Sequence, residues 1–223
     1  MREKDGILVS DVCGTLFYEN TTLGFIKFHL KKTSKLNYLI FLLITHKFSP
    51  ILWIFKIIEY ISYRNKNLFK NFIVSFIKGQ RESDVKKNAK TYVKILFKEK
   101  KINTVWNFLT KYKNKNYRII LASSSIDPIV KEIAKKIKAE YFSSCLETKN
   151  KRFTGNFLIN ISGNKIKYLR ILGIEYQKIN FFFSDNFEDL DLIKKSQKGF
   201  AIVHSLKRSG FWKQNKVKRI LWV

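Results

Sequence analysis

Residues 7–17 read ILVSDVCGTLF. Three apolar residues, Ile7 to Val9, lead almost at once to Asp11, and Gly14 and Thr15 follow. A short apolar run that ends in small and polar residues marks a strand buried on both faces. Such a strand delivers its terminal carboxylate into a crevice. Three further runs have the same form: YRIILASSS at 117–125, INFFFSD at 179–185 and GFAIVH at 199–204. Asp127 and Pro128 follow the second run as an N-cap and first-turn pair. Ile126, Ile129, Val130, Ile133, Ala134 and Ile137 then recur at helical spacing, which predicts a helix with one stripe on the sheet. Strands alternating with helices give the expected fold class: α/β, a Rossmann-like doubly wound parallel sheet.

Residues 18 to 100 break that alternation. They contain long Phe-, Ile-, Leu- and Lys-rich stretches, such as LNYLIFLLITHKFSPILWIFKIIEYISY at 36–63. Between residues 27 and 100 there are 17 Lys or Arg against 4 Asp or Glu. This pattern predicts an inserted α-helical cap, basic and aromatic-rich, over 18–100, with the core formed by 1–17 and 101–223. The apolar stretch from Leu36 to Thr45 is interrupted by His46, Lys47 and Pro50. It is too short for a bilayer span, which needs about 20 residues. A core helix of the insertion and an interfacial helix pair dipping into anionic lipid are the two readings it leaves.

The chain has 223 residues, 45 % of them hydrophobic, with only 2 Pro. That composition excludes a disordered polypeptide. Cys13 and Cys145 are the two cysteines; they form no disulfide framework and no CxxC zinc pair. The opening MREKDG runs into a strand within six residues and resembles no signal peptide. A reducing, cytoplasmic setting is expected, with peripheral placement at the inner face of the membrane as the extension. Net charge is +27, which attracts anions such as acidic headgroups, phosphorylated substrates or nucleic acid. Drift toward Lys-, Asn-, Ile- and Phe-rich composition would also produce such an excess.

Ser123, Lys165, Asp185 and Asp189 can be set beside Asp11. Ser123 and Asp185 stand at ends of predicted strands, where a parallel sheet places its ligand crevice. The set suits phosphoryl transfer. A divalent cation held by Asp11 and Asp185 would offset the repulsion between an anionic ester and its nucleophile. Oxygen ligands without a His or Cys cluster favour Mg²⁺. Asp11 could then attack phosphorus as a carboxylate nucleophile. Lys165 would keep Asp11 ionised, and Ser123 with its neighbour Ser124 would bind the phosphate. Singly, each residue has a plainer reading as a turn, cap or loop residue.

DVCGTLF resembles the first motif, Asp-x-Asp-Gly-Thr, of the haloacid dehalogenase superfamily. LASSSID at 121–127 resembles its second motif through Ser123. TGNFLINISGNKIKYL at 154–169 resembles the third through Lys165, and FSDNFEDLDLI at 183–193 the fourth through Asp185 and Asp189. The phosphoserine-phosphatase-like branch, with a helical cap, is the nearest in pattern. The resemblance implies an aspartyl-phosphate on Asp11 and Mg²⁺ bound by Asp11, Asp185, Asp189 and the backbone carbonyl of Cys13. Catalysis is then expected from Asp11, Cys13 and Lys165, and phosphate binding from Ser123, Ser124 and Lys165.

Cys13 departs from the motif. The family's phosphatases carry a general acid and base at this position, and a thiol with an ordinary pKa of about 8.5 protonates an alcohol leaving group poorly. Four outcomes follow: slow phosphatase activity, a different reaction, slow hydrolysis that favours transfer, or binding without turnover. The expected function is a Mg²⁺-dependent phosphatase acting on a phosphorylated small molecule, lipid or lipid-linked sugar. The alternative is an impaired anion-binding module on nucleic acid or an anionic membrane. No recognised nucleic-acid motif occurs, so nucleic acid is the less expected partner.

Overall fold

The computed structural model describes residues 4–61 and 67–223. Its sheet has seven strands: β1 (Ile7–Ser10), β2 (Arg118–Ile126), β3 (Glu140–Lys149), β4 (Arg152–Ile159), β5 (Ile179–Ser184), β6 (Lys198–Val203) and β7 (Ile220–Trp222). They lie in the order β4-β3-β2-β1-β5-β6-β7. Every neighbouring pair is parallel except β3 and β4. β1 is central, with Ser10 opposite Leu121 of β2 and Phe183 of β5. The four apolar runs all form strands of the parallel sheet.

Successive side chains on a strand point to opposite faces, and here both faces are apolar. Leu8, Leu121 and Phe183 join one core, while Val9, Ile120 and Phe182 join the other. The first core is covered by α1 (Thr21–Thr33), α5 (Glu82–Glu99), α6 (Asn103–Asn114) and α7 (Asp127–Ile137), and it continues into the inserted helices. The second is covered by α8 (Lys165–Ile171), α9 (Leu190–Lys195) and α10 (Leu206–Gln214), with Trp212 fully buried.

Between α1 and α5 lie α2 (Lys35–Thr45), α3 (Pro50–Ile61) and α4 (Leu68–Ser75). Ser34 caps α2 by accepting from Asn37 N, and Pro50 opens α3, where its missing N–H costs nothing. α2 and α3 are bent 58° apart.

Two sequence readings change. Asp127 is not an N-cap: it is the first residue of α7, and its Oδ1 accepts from Leu146 N at 3.0 Å, tying the helix to β3. The β3–β4 hairpin was not read as strands. It buttresses the insertion: Phe153 N donates to Gln80 O (3.0 Å) and Phe153 O accepts from Gly79 N (2.8 Å), with Gly79 and Gln80 both in the α4–α5 turn. Gly155 has φ +87°, and a Cβ there would press on Ser75 of α4.

Candidate active site

Asp11 leaves the end of β1 with its N–H on Phe183 O (2.9 Å). β1, β2 and β5 are parallel, and past a register shift at Ile7/Leu8 of β1 against β5 they run side by side, so Asp11, Ser123 and Asp185 converge toward their carboxyl ends. Lys165, the first residue of α8, reaches into the same place. Its Nζ lies 3.2 Å from Asp11 Oδ1 and 2.6 Å from Asp189 Oδ2, all three side chains being buried. Burial works against the ammonium, but Asp11 and Asp189 outweigh it and hold its pKa above the ordinary value. Burial pushes the Asp11 carboxyl up to about 6, against the pull of Lys165 and with help from Asp189 and Asp185. Asp11 Oδ1 is buried without a hydrogen-bond partner despite its nearness to Lys165.

Asp189 faces Lys165 rather than the open crevice, and its Oδ2 also accepts from Ser184 Oγ at 2.5 Å. Asp185 does face the crevice. Its N–H donates to Thr15 Oγ1 at 3.0 Å, and its Oδ2 lies 3.1 Å from Arg208 Nη1. Burial raises its pKa, with Arg208, His204 and Lys165 opposing. Gly14, at φ +62°, has no Cβ to collide with this carboxylate. The motif's glycine is therefore required twice, by conformation and by space.

The crevice opens into a cavity of about 680 Å³, lined by Asp11, Cys13, Ser124, Ser125, Asp185 and Arg208 from the sheet side. Leu23, Phe69, Lys70 and Ile73 line it from the inserted helices. Ser123 is fully buried, and its Oγ accepts from Ser125 N (3.3 Å). Of the two serines expected to meet the phosphate, Ser124 lines the cavity and Ser123 does not; Ser125, which was not expected there, lines it as well. Cys13 Sγ is 2.9 Å from Thr21 Oγ1 and accepts from Thr21 N. Burial and the nearby Asp11 push the thiol's pKa up, so it stays protonated.

Three cavity or rim residues were not singled out in the sequence. Arg208 also donates from Nη2 to Asp185 O (2.8 Å), and His204 Nε2 donates to Gly14 O (2.6 Å). Both follow β6, and a position just past a parallel strand was the available signal. Lys70 of α4 donates to Ser162 Oγ (2.8 Å), Asn160 Oδ1 (3.0 Å) and Ser144 Oγ (3.3 Å). Among the described residues no carboxylate lies within ion-pair distance of it. Burial lowers its pKa to about 8, while Cys13, Glu188 and Asp11 raise it and Lys165 lowers it further. Nothing distinguishes Lys70 in the sequence from the other lysines of the insertion.

The profile of the haloacid dehalogenase-like hydrolases matches residues 8–194. The chain belongs to this family. Solved structures share its fold at low sequence identity. A protein of unknown function from Bordetella pertussis Tohama I aligns at TM-score 0.71 and 10 % identity, over 98 % of this chain and 99 % of that one. A phosphoserine phosphatase in apo form aligns at TM-score 0.59 and 16 % identity, over 99 % and 94 %. A family hydrolase from Salmonella enterica serovar Typhi aligns at TM-score 0.65 and 15 % identity, over 98 % and 67 %. A sequence search of curated proteins found no match. The haloacid dehalogenase-like fold, Rossmann-like with phosphoserine phosphatases among its neighbours, is thus the fold of this hydrolase.

The donor set can be weighed against Mg²⁺. Among the described residues no cluster of three or more His, Cys, Asp or Glu is close enough to enclose a metal. Mg²⁺ does not need one: it keeps several waters and is commonly held by one or two carboxylates and a substrate phosphate. Asp11 and Asp185 line one cavity and supply that pair. The residues fit, provided Arg208 yields Asp185.

Proposed function

We propose that the chain is a Mg²⁺-dependent phosphatase in which Asp11 is the nucleophile. One observation supports this most: the buried Asp11 carboxylate, which lines the cavity, stands 3.2 Å from the buried Lys165 ammonium. Asp11, Asp185 and the Cys13 carbonyl would hold the ion. When bound, it would neutralise charge on the phosphoryl group and favour the ionised form of Asp11. Asp189 keeps Lys165 in place, and Lys165, Ser124 and Ser125 meet the phosphate oxygens.

The proton role left open at residue 13 passes to Lys70 of the inserted helices. It lines the same cavity as Cys13 and Asp11, and its depressed pKa puts it near the range useful for acid and base work. The Asp11 carboxylate attacks phosphorus, the ester P–O bond breaks, and the leaving oxygen takes a proton from the Lys70 ammonium. Water then attacks the aspartyl-phosphate, its proton passes to neutral Lys70, and the aspartyl P–O bond breaks to release phosphate. The cavity's apolar wall, Leu23, Phe69 and Ile73, favours a substrate with an apolar body, a phosphorylated lipid or lipid-linked sugar. The domain division at 17/18 and 100/101 belongs to this reading, with the insertion as its cap. So does a cytoplasmic setting at the membrane's inner face.

A phosphatase screen with and without Mg²⁺ on the native protein, Asp11→Asn and Cys13→Asp tests the proposal. Mg²⁺-dependent release of phosphate lost in Asp11→Asn supports it. The ion pair of Arg208 with Asp185 favours a second reading, an anion-binding module without turnover. Binding that ignores Mg²⁺ and falls steeply with salt, with no turnover in any variant, would select that one.

A further inference from the structure

Twelve of the twenty large apolar side chains exposed among the described residues lie between 36 and 61. The remaining eight are scattered over the rest of the chain. α2 buries only Phe41 and Ile44, and α3 fully buries nothing. Leu43 and Phe48 are each 73 % exposed, Trp53 is 53 % and Ile57 53 %. So dense a concentration of exposed large apolar side chains is rare on a soluble monomer and marks an interaction site.

Charge decides what covers it. From residue 27 to 61 there are six lysines and one acid, Glu59. Glu59 is engaged internally, accepting from Phe69 N. Lys35, Lys47 and Lys56 stand within the α2–α3 region and are exposed. Lys47 Nζ lies 4.7 Å from the Phe48 ring centroid and Lys56 Nζ 4.9 Å from that of Trp53. Lysines running beside exposed aromatic and aliphatic groups suit a surface that is apolar below and anionic above. A second copy would bring an identical set of lysines to the same contact, on a chain of net charge +27.

We infer that the α2–α3 face docks on an anionic lipid bilayer, lying within its interface. The helices have 11 and 12 residues, about 16–18 Å each at 1.5 Å per residue, well short of the roughly 30 Å hydrocarbon core. No single helix among the described residues is long and apolar enough to cross a membrane. The face is tied to the candidate active site through α4. Phe55 of α3 packs on Phe69 and Phe72 of α4 (centroids 5.6 and 5.1 Å), and α4 carries Phe69 and Lys70 into the cavity wall. Docking itself does not depend on phosphatase activity. That the docked surface presents a phosphorylated lipid to the cavity rests on the proposed function.

Flotation of the full chain with vesicles tests this without any turnover. Vesicles of phosphatidylcholine with about one-third phosphatidylglycerol should carry the protein, and pure phosphatidylcholine should carry much less. The double variant Leu43→Glu/Trp53→Glu should bind at least about tenfold more weakly, with an unchanged circular dichroism spectrum because both positions are exposed. Lys47→Glu/Lys56→Glu should lose the preference for the anionic vesicles. Brominated acyl chains should quench Trp53 fluorescence relative to Trp53→Phe. Failure to float, or equal flotation of the double variant, would overturn the inference. So would retention through an alkaline carbonate wash, which would indicate a bent span. A dimer dissociated by Trp53→Glu would show that a second copy is the occupant.

Discussion

The crevice at the carboxyl ends of the central strands and the α2–α3 face handle water in opposite ways. In the crevice, charged groups are buried and nearly all paired: Lys165 with Asp11 and Asp189, Asp185 with Arg208. On the α2–α3 face, large apolar groups are left in solvent. Each arrangement opposes the ordinary partition of a folded chain, and each leaves something unsatisfied. The unsatisfied parts differ in kind. In the crevice they are two carboxylates, Asp11 and Asp185, gathered on one cavity, and a cation, Lys70, with no carboxylate within ion-pair distance among the described residues. On the face they are area. The first calls for a cation and an anionic ligand, the second for a hydrocarbon phase.

The two regions should separate under mutation. The largest expected effect is Asp11→Asn, which should lower turnover by at least roughly 10³-fold while leaving vesicle flotation unchanged. Loss of both would show that crevice and face are not independent. Lys165→Met removes one partner from a buried ion cluster, and its cost should be about 3–5 kcal/mol of stability, read from urea midpoints. A cost below about 1 kcal/mol would mean that the cluster is less buried or less coupled than the geometry shows.

Lys70→Met should lower kcat by about tenfold to a hundredfold. Cys13→Asp restores the motif's carboxylic acid and, with Lys70 in the proton role, should change kcat by less than about tenfold. A gain of about 10²-fold or more would show that Lys70 does not fill that role. In the native protein, turnover should fall above about pH 8 as Lys70 loses its proton. Stability should move the other way. Between about pH 8 and 10.5 the unfolded chain keeps a proton that folded Lys70 has released, so stability rises with pH there. Lys70→Arg should remove the alkaline fall in turnover without restoring the rate. The smallest effect belongs to Leu43→Glu/Trp53→Glu on a soluble phosphomonoester, where no change is expected.

The sequence showed the crevice better than its surroundings. Short apolar runs ending at Asp11, Ser123 and Asp185 were readable because both faces of a central parallel strand must be apolar. Position alone then brought those residues together. The β3–β4 hairpin was missed because its strands are half-exposed and its turn is Asn150-Lys151. Both turn residues have positive φ, a conformation more readily signalled by Asn-Gly. Asp189 was expected on the metal with Asp185, four residues away. The short 3₁₀ turn at Phe187–Asp189 carries it toward Lys165 instead, which spacing could not show. Lys70 and Arg208 act from elements whose tertiary position no local pattern reports. The apolar face was visible as composition, but only its exposure separates a core helix from a docking surface.

Trapping the phosphoryl-enzyme tests the central claim most directly. The native protein, incubated with Mg²⁺ and a radiolabelled phosphomonoester and quenched in acid, should retain a hydroxylamine-labile phosphoryl group. Peptide mapping should place it on Asp11, and Asp11→Asn should carry none. A label on another residue, or rapid turnover with no label on Asp11 under any quench, would contradict the claim.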